Sequence, residues 1–133
     1  RCAMPDMVID ASSLAAVVFE EPEGASVLEY CRGSRLLAPS LADYEMANIC
    51  LIKRHRYPDV AEKLAIQFDA YQRLDIKRCV VDIGAVLAVA EKTHLTAYDA
   101  SYLWLAIKNG CPLSTLDKAL DAAWRQTITT RTN

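Results

Sequence analysis

Short apolar runs alternate along this chain with longer stretches in which apolar residues recur every three or four positions, the pattern of strands interleaved with amphipathic helices. Met7-Val8-Ile9 predicts a strand ending at Asp10, and Ser12 and Ser13 offer hydroxyl caps to a helix over Leu14–Glu20. Pro22 and Gly24 interrupt the pattern before a second helix, Ala25–Cys31, which Gly33 closes. Arg35–Ala38 is the next strand. Ser40 and Asp43 form an S-x-x-D capping box ahead of a helix over Leu41–His55, and Pro58 opens another that runs to about Tyr71. Leu74–Ile76 predicts a short strand, Val81–Thr93 an apolar helix, and Tyr98–Asn109 a helix stopped by Gly110. Cys111–Ser114 then reads as a strand, Asp117–Trp124 as a helix, and the β-branched run Thr127–Thr130 as a closing strand.

Strands alternating with helices in this way predict an α/β sandwich around a mainly parallel sheet. Chemistry in such folds gathers beyond the carboxyl ends of the strands, which is where Asp10 and the segment Thr115–Asp117 fall. No repeat or low-complexity linker divides the chain, so residues 7–133 are expected to form one domain. Residues 1–6 are set apart as an expression remnant or a disordered native start.

Composition narrows the function classes. With 53% apolar and 24% charged residues the chain has the makeup of an ordinary globular protein. A net charge of −2 and a pI near 5.7 provide no broad basic field, so contact with a polyanion has to come from local patches. The five cysteines are widely spaced without a C-x-x-C pair, which argues against zinc and against a disulfide framework and suits a reducing cytoplasm. The longest apolar stretch, Ile83–Ala90, is far short of the roughly 20 residues of a membrane span, and no secretory signal opens the chain.

Four carboxylates carry the candidate chemistry, and each has a structural reading beside the functional one. Asp10 follows three apolar strand residues, where burial penalises a lone charge, yet it also precedes a helix that it can help to cap. Glu45 shares a helical stripe with Leu41, Asn48 and Ile52 that is expected to face the protein, and a carboxylate there calls for an arginine or a metal ion. Asn48, one turn on, is placed to orient it. Thr96-Ala97-Tyr98-Asp99 and Ser114-Thr115-Leu116-Asp117 both match the [ST]-x-x-[DE] pattern, so Asp99 and Asp117 each read singly as a helix-start residue. Together the four repel one another unless a cation joins them, and an all-oxygen set favours Mg²⁺ or Mn²⁺ over Zn²⁺. Such an ion bridges acidic protein and anionic phosphodiester and acidifies a water.

Other groups compete less well. His55 lies in Lys53-Arg54-His55-Arg56 at a helix end, where cations complement the dipole, and His94 follows a helix as a surface or capping residue. The cluster Lys53, Arg54 and Arg56 reads as a solvated face or as a track for a nucleic-acid backbone. Tyr98, Tyr102 and Trp104 read as core aromatics at helical spacing. Ser12 and Ser13 have no histidine nearby to make them nucleophiles.

Four segments, in order, resemble the PIN-domain nucleases and, within them, VapC-type toxins of toxin–antitoxin pairs. They are Val8-Ile9-Asp10-Ala11-Ser12-Ser13, Ala38-Pro39-Ser40 running into Tyr44-Glu45-Met46-Ala47-Asn48, Leu95–Tyr102, and Pro112-Leu113-Ser114-Thr115-Leu116-Asp117. The resemblance spans Met7 to Trp124 and is weaker between Pro58 and Thr93. It implies a PIN-like three-layer sandwich whose mainly parallel sheet is flanked by helices, with Mg²⁺- or Mn²⁺-dependent RNA cleavage at Asp10, Glu45, Asp99 and Asp117. A homodimer and a cognate antitoxin covering the groove are likewise implied. Ser12 and Thr115 are weaker candidates for hydroxyls that orient ligands. Two rival readings are an aspartyl-phosphate phosphotransferase with Asp10 as nucleophile, disfavoured by Ser12 where a second acid is wanted, and a non-catalytic interaction module in which every Asp is a cap.

Overall fold

A computed structural model describes residues 4–132; residues 1–3, half of the segment set apart above, lie outside the described residues. Strand β1 (Asp6–Ile9) leads through helices α1 (Ala11–Val18) and α2 (Gly24–Cys31) to β2 (Arg35–Pro39). Helix α3 (Leu41–Arg56), a 3-10 turn at Pro58–Val60 and α4 (Ala61–Gln72) precede β3 (Ile76–Cys79). Helices α5 (Ile83–Thr93) and α6 (Ala97–Asn109), strand β4 (Leu113–Ser114) and α7 (Lys118–Thr132) follow.

The four strands form one fully parallel sheet in the order β3-β2-β1-β4, with Val8 in register with both Leu37 and Leu113. Strands buried on both faces need continuous apolar runs, and Met7, Val8, Ile9, Leu37 and Ala38 are all buried. Helix α6 packs on β1 and β2 and carries α5 and α7 against it, while α1 packs with α2, α3 and α4. The result is the three-layer α/β arrangement expected from the sequence. At the α1–α2 contact a Cβ on Gly24 would lie 2.5 Å from the Ala16 carbonyl oxygen, so only glycine permits this approach.

Several expected elements differ, each for a physical reason. Thr127–Thr130 is not a strand but the last turns of α7; the hydroxyls of Thr127 and Thr130 donate to the carbonyls of Ala123 and Gln126, and the helix continues a face on which Leu120 is fully buried. Packing on α6 outweighs the β-branched preference there. The third strand runs from Ile76 to Cys79 rather than Leu74 to Ile76, because the polar residues Lys77 and Arg78 lie on a sheet edge, where charge is favourable and apolar alternation fails as a signal. The Ser40–Asp43 capping box does not form: Ser40 is itself helical without a side-chain cap, and Asp43 turns to Tyr71 and Arg78. Ser12 and Ser13 lie inside α1, whose cap is Asp10. Pro58 opens the 3-10 turn rather than α4 itself.

Among the described residues no helix is long and apolar enough to cross a membrane. Cys31, Cys50, Cys79 and Cys111 carry free thiols.

Candidate active site

Asp10 sits where β1 ends, with its amide donating to the Ser114 carbonyl at 3.1 Å on neighbouring β4. Its side chain caps α1 by accepting from the Ser13 amide at 3.0 Å, and the same oxygen accepts from the Ser12 hydroxyl at 2.7 Å. The other oxygen accepts from the Thr115 hydroxyl at 2.5 Å. Ser12 Oγ in turn accepts from the Leu116 amide and Thr115 Oγ1 from the Asp117 amide, so one network fastens the β1–α1 junction to the β4–α7 junction. Asp117 caps α7, accepting from the Leu120 amide at 2.9 Å. The S-x-x-D reading of that turn is corrected: Asp117 is itself the cap, and Ser114 bonds Ser13 inside the sheet layer. The corresponding reading at α6 holds, with Thr96 Oγ1 accepting from the Asp99 amide at 3.1 Å.

Glu45 approaches from α3, and the expectation for its stripe needs revision. The buried stripe of α3 is Ala42, Met46 and Cys50; Glu45 is half-buried at its border, and Ile52 is 54% exposed. Instead of an arginine, Glu45 Oε1 accepts from the hydroxyl of Tyr102 at 2.6 Å. Tyr102 packs in the core as expected, Trp104 is partly buried beneath Lys108, but Tyr98 is 62% exposed and belongs to the surface. The contact of Tyr102 with Glu45 is not legible in the sequence, because helical spacing reveals a buried ring, not where its hydroxyl ends.

The four acids line one cavity of about 260 Å³ together with Ser12, Asn48 and Tyr102, and among the described residues no lysine, arginine or histidine lines it. Burial pushes the Asp10 carboxyl up, against the hydrogen bonds from Thr115, Ser13 and Ser12, and the charge of Asp117 adds to the rise. Glu45 is raised by burial and by the charges of Asp99 and Asp10, with the Tyr102 bond opposing. Asp99 is raised by burial and by Asp117 and Asp10. These acids therefore sense one another's charge, which deprotonation at neutral pH makes costly. Larger cavities of about 650 and 410 Å³ beside α6 and α7 contain no acidic residue.

Among the described residues no three His, Cys, Asp or Glu side chains stand close enough to grip one ion together. A cleft lined by spaced carboxylates and hydroxyls suits a hard cation that keeps part of its water shell, as Mg²⁺ does, and does not suit a closed zinc site. The basic cluster lies at the end of α3: Lys53 pairs with Glu21 at 2.5 Å and stands over the Phe19 ring, while Arg54 and Arg56 are exposed.

The model of the PIN domain family matches residues 7–124. Ribonuclease VapC3 of Pyrobaculum aerophilum is 30% identical over 122 residues, covering 86% of this chain and 91% of that protein. Ribonuclease VapC9 of Mycobacterium tuberculosis is 32% identical over 117 residues, covering 86% and 87%. The crystal structure of PAE2754 from Pyrobaculum aerophilum superposes with a TM-score of 0.67 at 24% identity, covering 96% of this chain and 89% of that one, a likeness of fold.

Proposed function

The chain belongs to the PIN-domain family, and on that premise we propose that it is a divalent-metal-dependent endoribonuclease, the toxin of a VapBC-type pair, with Asp10, Glu45, Asp99 and Asp117 as its metal-binding and catalytic residues. The observation that carries this reading is the lining of one cleft by four acids, from the β1–α1 and β4–α7 junctions and from α3 and α6, with no cationic side chain among them in the described residues. The ribonuclease names of the relatives supply the substrate class.

A divalent ion, when bound, supplies charge for the phosphate and acidity for a water. Asp10, Asp99 and Asp117 would hold it, directly or through water, and Mg²⁺ or Mn²⁺ matches their oxygen donors. Ser12 and Thr115 keep Asp10 in one rotamer, and Asn48 supports the cleft wall near Glu45. Glu45 would orient a water or help to hold a second ion. Arg54 and Arg56, with Lys53 largely committed to Glu21, contact the RNA backbone. A cognate antitoxin, a homodimer and a cytoplasmic setting complete the proposal. Asp10 Oδ1 accepts two hydrogen bonds and Oδ2 one, which leaves a lone pair on Oδ2 toward the cleft for an ion; the phosphotransferase reading is disfavoured by Ser12, which stands where a second acid is wanted.

The test is cleavage of RNA with Mn²⁺ or Mg²⁺, with and without EDTA, beside an Asp10→Asn variant shown by circular dichroism to be folded. EDTA should stop cleavage, and the variant should lose more than the ~10- to 100-fold typical when a ligand's supporting partner is removed. Equal cleavage by variant and parent would sink the assignment.

A further inference from the structure

We propose that Tyr102 is the positioning residue for Glu45, and that it does so as a neutral donor so that the cleft's negative charge remains available to the ion. The inference rests on the metal-site reading above. Tyr102 is 1% exposed, its ring fixed in the core of α6, and its hydroxyl lies 2.6 Å from Glu45 Oε1. That separation is typical of a hydroxyl bonded to a carboxylate, and a ring with two side-chain torsions presents the donor at little conformational cost.

Helix α3 contains its own control. Two residues before Glu45, Asp43 accepts from another buried tyrosine, Tyr71, also at 2.6 Å, but there Arg78 adds a 2.9 Å ion pair and neutralises the carboxylate. The fold therefore has a cation available for a tyrosine–carboxylate pair on this helix and uses it away from the cleft. Inside the cleft, among the described residues, the side-chain partners of the acids are hydroxyls, Ser12 and Thr115 on Asp10 and Tyr102 on Glu45, joined by the uncharged backbone amides of Ser13 on Asp10 and Leu120 on Asp117. A fixed lysine or arginine there would orient the acids equally well and compete with the metal for them. Hydroxyl partners orient without competing.

The experiment is thermal denaturation of the full chain titrated with MnCl₂ for the parent, Tyr102→Phe, Glu45→Gln and the double variant, with RNA cleavage measured over the same metal range. Tyr102→Phe keeps the ring and should retain the parent's circular dichroism. It should raise the Mn²⁺ concentration needed for half of the thermal shift by about tenfold, the usual consequence of losing a ligand's partner. Half-saturation of cleavage should move by the same factor, with the rate at saturating Mn²⁺ recovering to within a few-fold. In the Glu45→Gln background the tyrosine substitution should change the midpoint by less than about twofold, because the two residues act as one unit. Tyr102→Met, which also lacks the donor, should reproduce the shift if Tyr102→Phe fails to fold. A lowered melting temperature with an unchanged Mn²⁺ midpoint, or the same tenfold change without Glu45, overturns the proposal and leaves the tyrosine merely structural. A parent that neither gains stability with Mn²⁺ nor requires it for cleavage overturns the metal-site reading itself, and this inference with it.

Discussion

Asp43 and Glu45 stand two positions apart on α3 and meet opposite fates. Burial acts upward on the Asp43 carboxyl, but the hydrogen bonds from Arg78 and Tyr71 and the arginine's charge outweigh it and hold the group below its usual range. Glu45, with like charges for neighbours and one neutral donor, is held above. Two residues of the same chemistry on one helix thus become a structural ion pair and a member of the cleft. Tyr71→Phe removes a buried hydroxyl bonded to a carboxylate whose side chain is 45% exposed. Solvent and Arg78 offset part of the loss, so about 1–2 kcal/mol of stability should disappear in urea denaturation. The Mn²⁺ midpoint should stay where it is, since this pair lies outside the cleft. A shifted midpoint with unchanged stability would contradict the division between the two tyrosines.

At the scale of elements, helix starts and helix ends have different uses. Asp10 and Asp117 each cap a helix where a strand has just ended, so the bonds that satisfy free amides also hold a carboxylate rigidly at the cleft. Capping and the proposed metal binding, rival explanations when the sequence is read residue by residue, are compatible in space, since both caps line the cleft. The far end of α3 concentrates Lys53, Arg54, His55 and Arg56 in its last turn, where positive charge complements the helix dipole. An RNA contact by the same residues is distinguished from that role by its salt dependence. Replacing Arg54 and Arg56 by Ala should weaken RNA binding to the inactive Asp10→Asn protein. The slope of log K against log salt should flatten by about 1.4 if each arginine neutralises one phosphate of a single strand. An unchanged slope would return both to the solvated helix end.

The whole molecule places a cluster of acids at the carboxyl edge of its sheet, and its stability should register that cost. Asp10, Glu45 and Asp99 all have carboxyls raised on folding, so the native state binds protons more tightly than the unfolded chain. Their contribution is most favourable below the ordinary carboxylate range and is lost as pH rises through the raised values. Asp43 works in the opposite direction, but its stabilisation disappears only as pH falls below the ordinary range. In EDTA the melting temperature should therefore decline as pH rises from the ordinary carboxylate range toward neutrality, by roughly 3–6 °C for each kcal/mol involved. With saturating Mg²⁺ the decline should flatten or reverse, since the ion takes the place of the protons. Identical slopes with and without the ion would argue against metal binding by this cluster. Much of this arrangement is legible in the chain itself. The run Met7-Val8-Ile9 before Asp10, the stop at Gly110 and the ordered acidic segments follow from local rules of periodicity, capping and positive φ, which act over a few residues. Partner choice does not obey local rules. The bond from Tyr102 to Glu45 spans 57 positions and that from Thr115 to Asp10 spans 105, while Thr127–Thr130 becomes helical and Asp43 abandons its expected cap through packing with segments far along the chain. Local chemistry determined the elements and which residues stand at their ends; only the parallel order β3-β2-β1-β4, which sets those ends side by side, decided that four separate acids share a cleft.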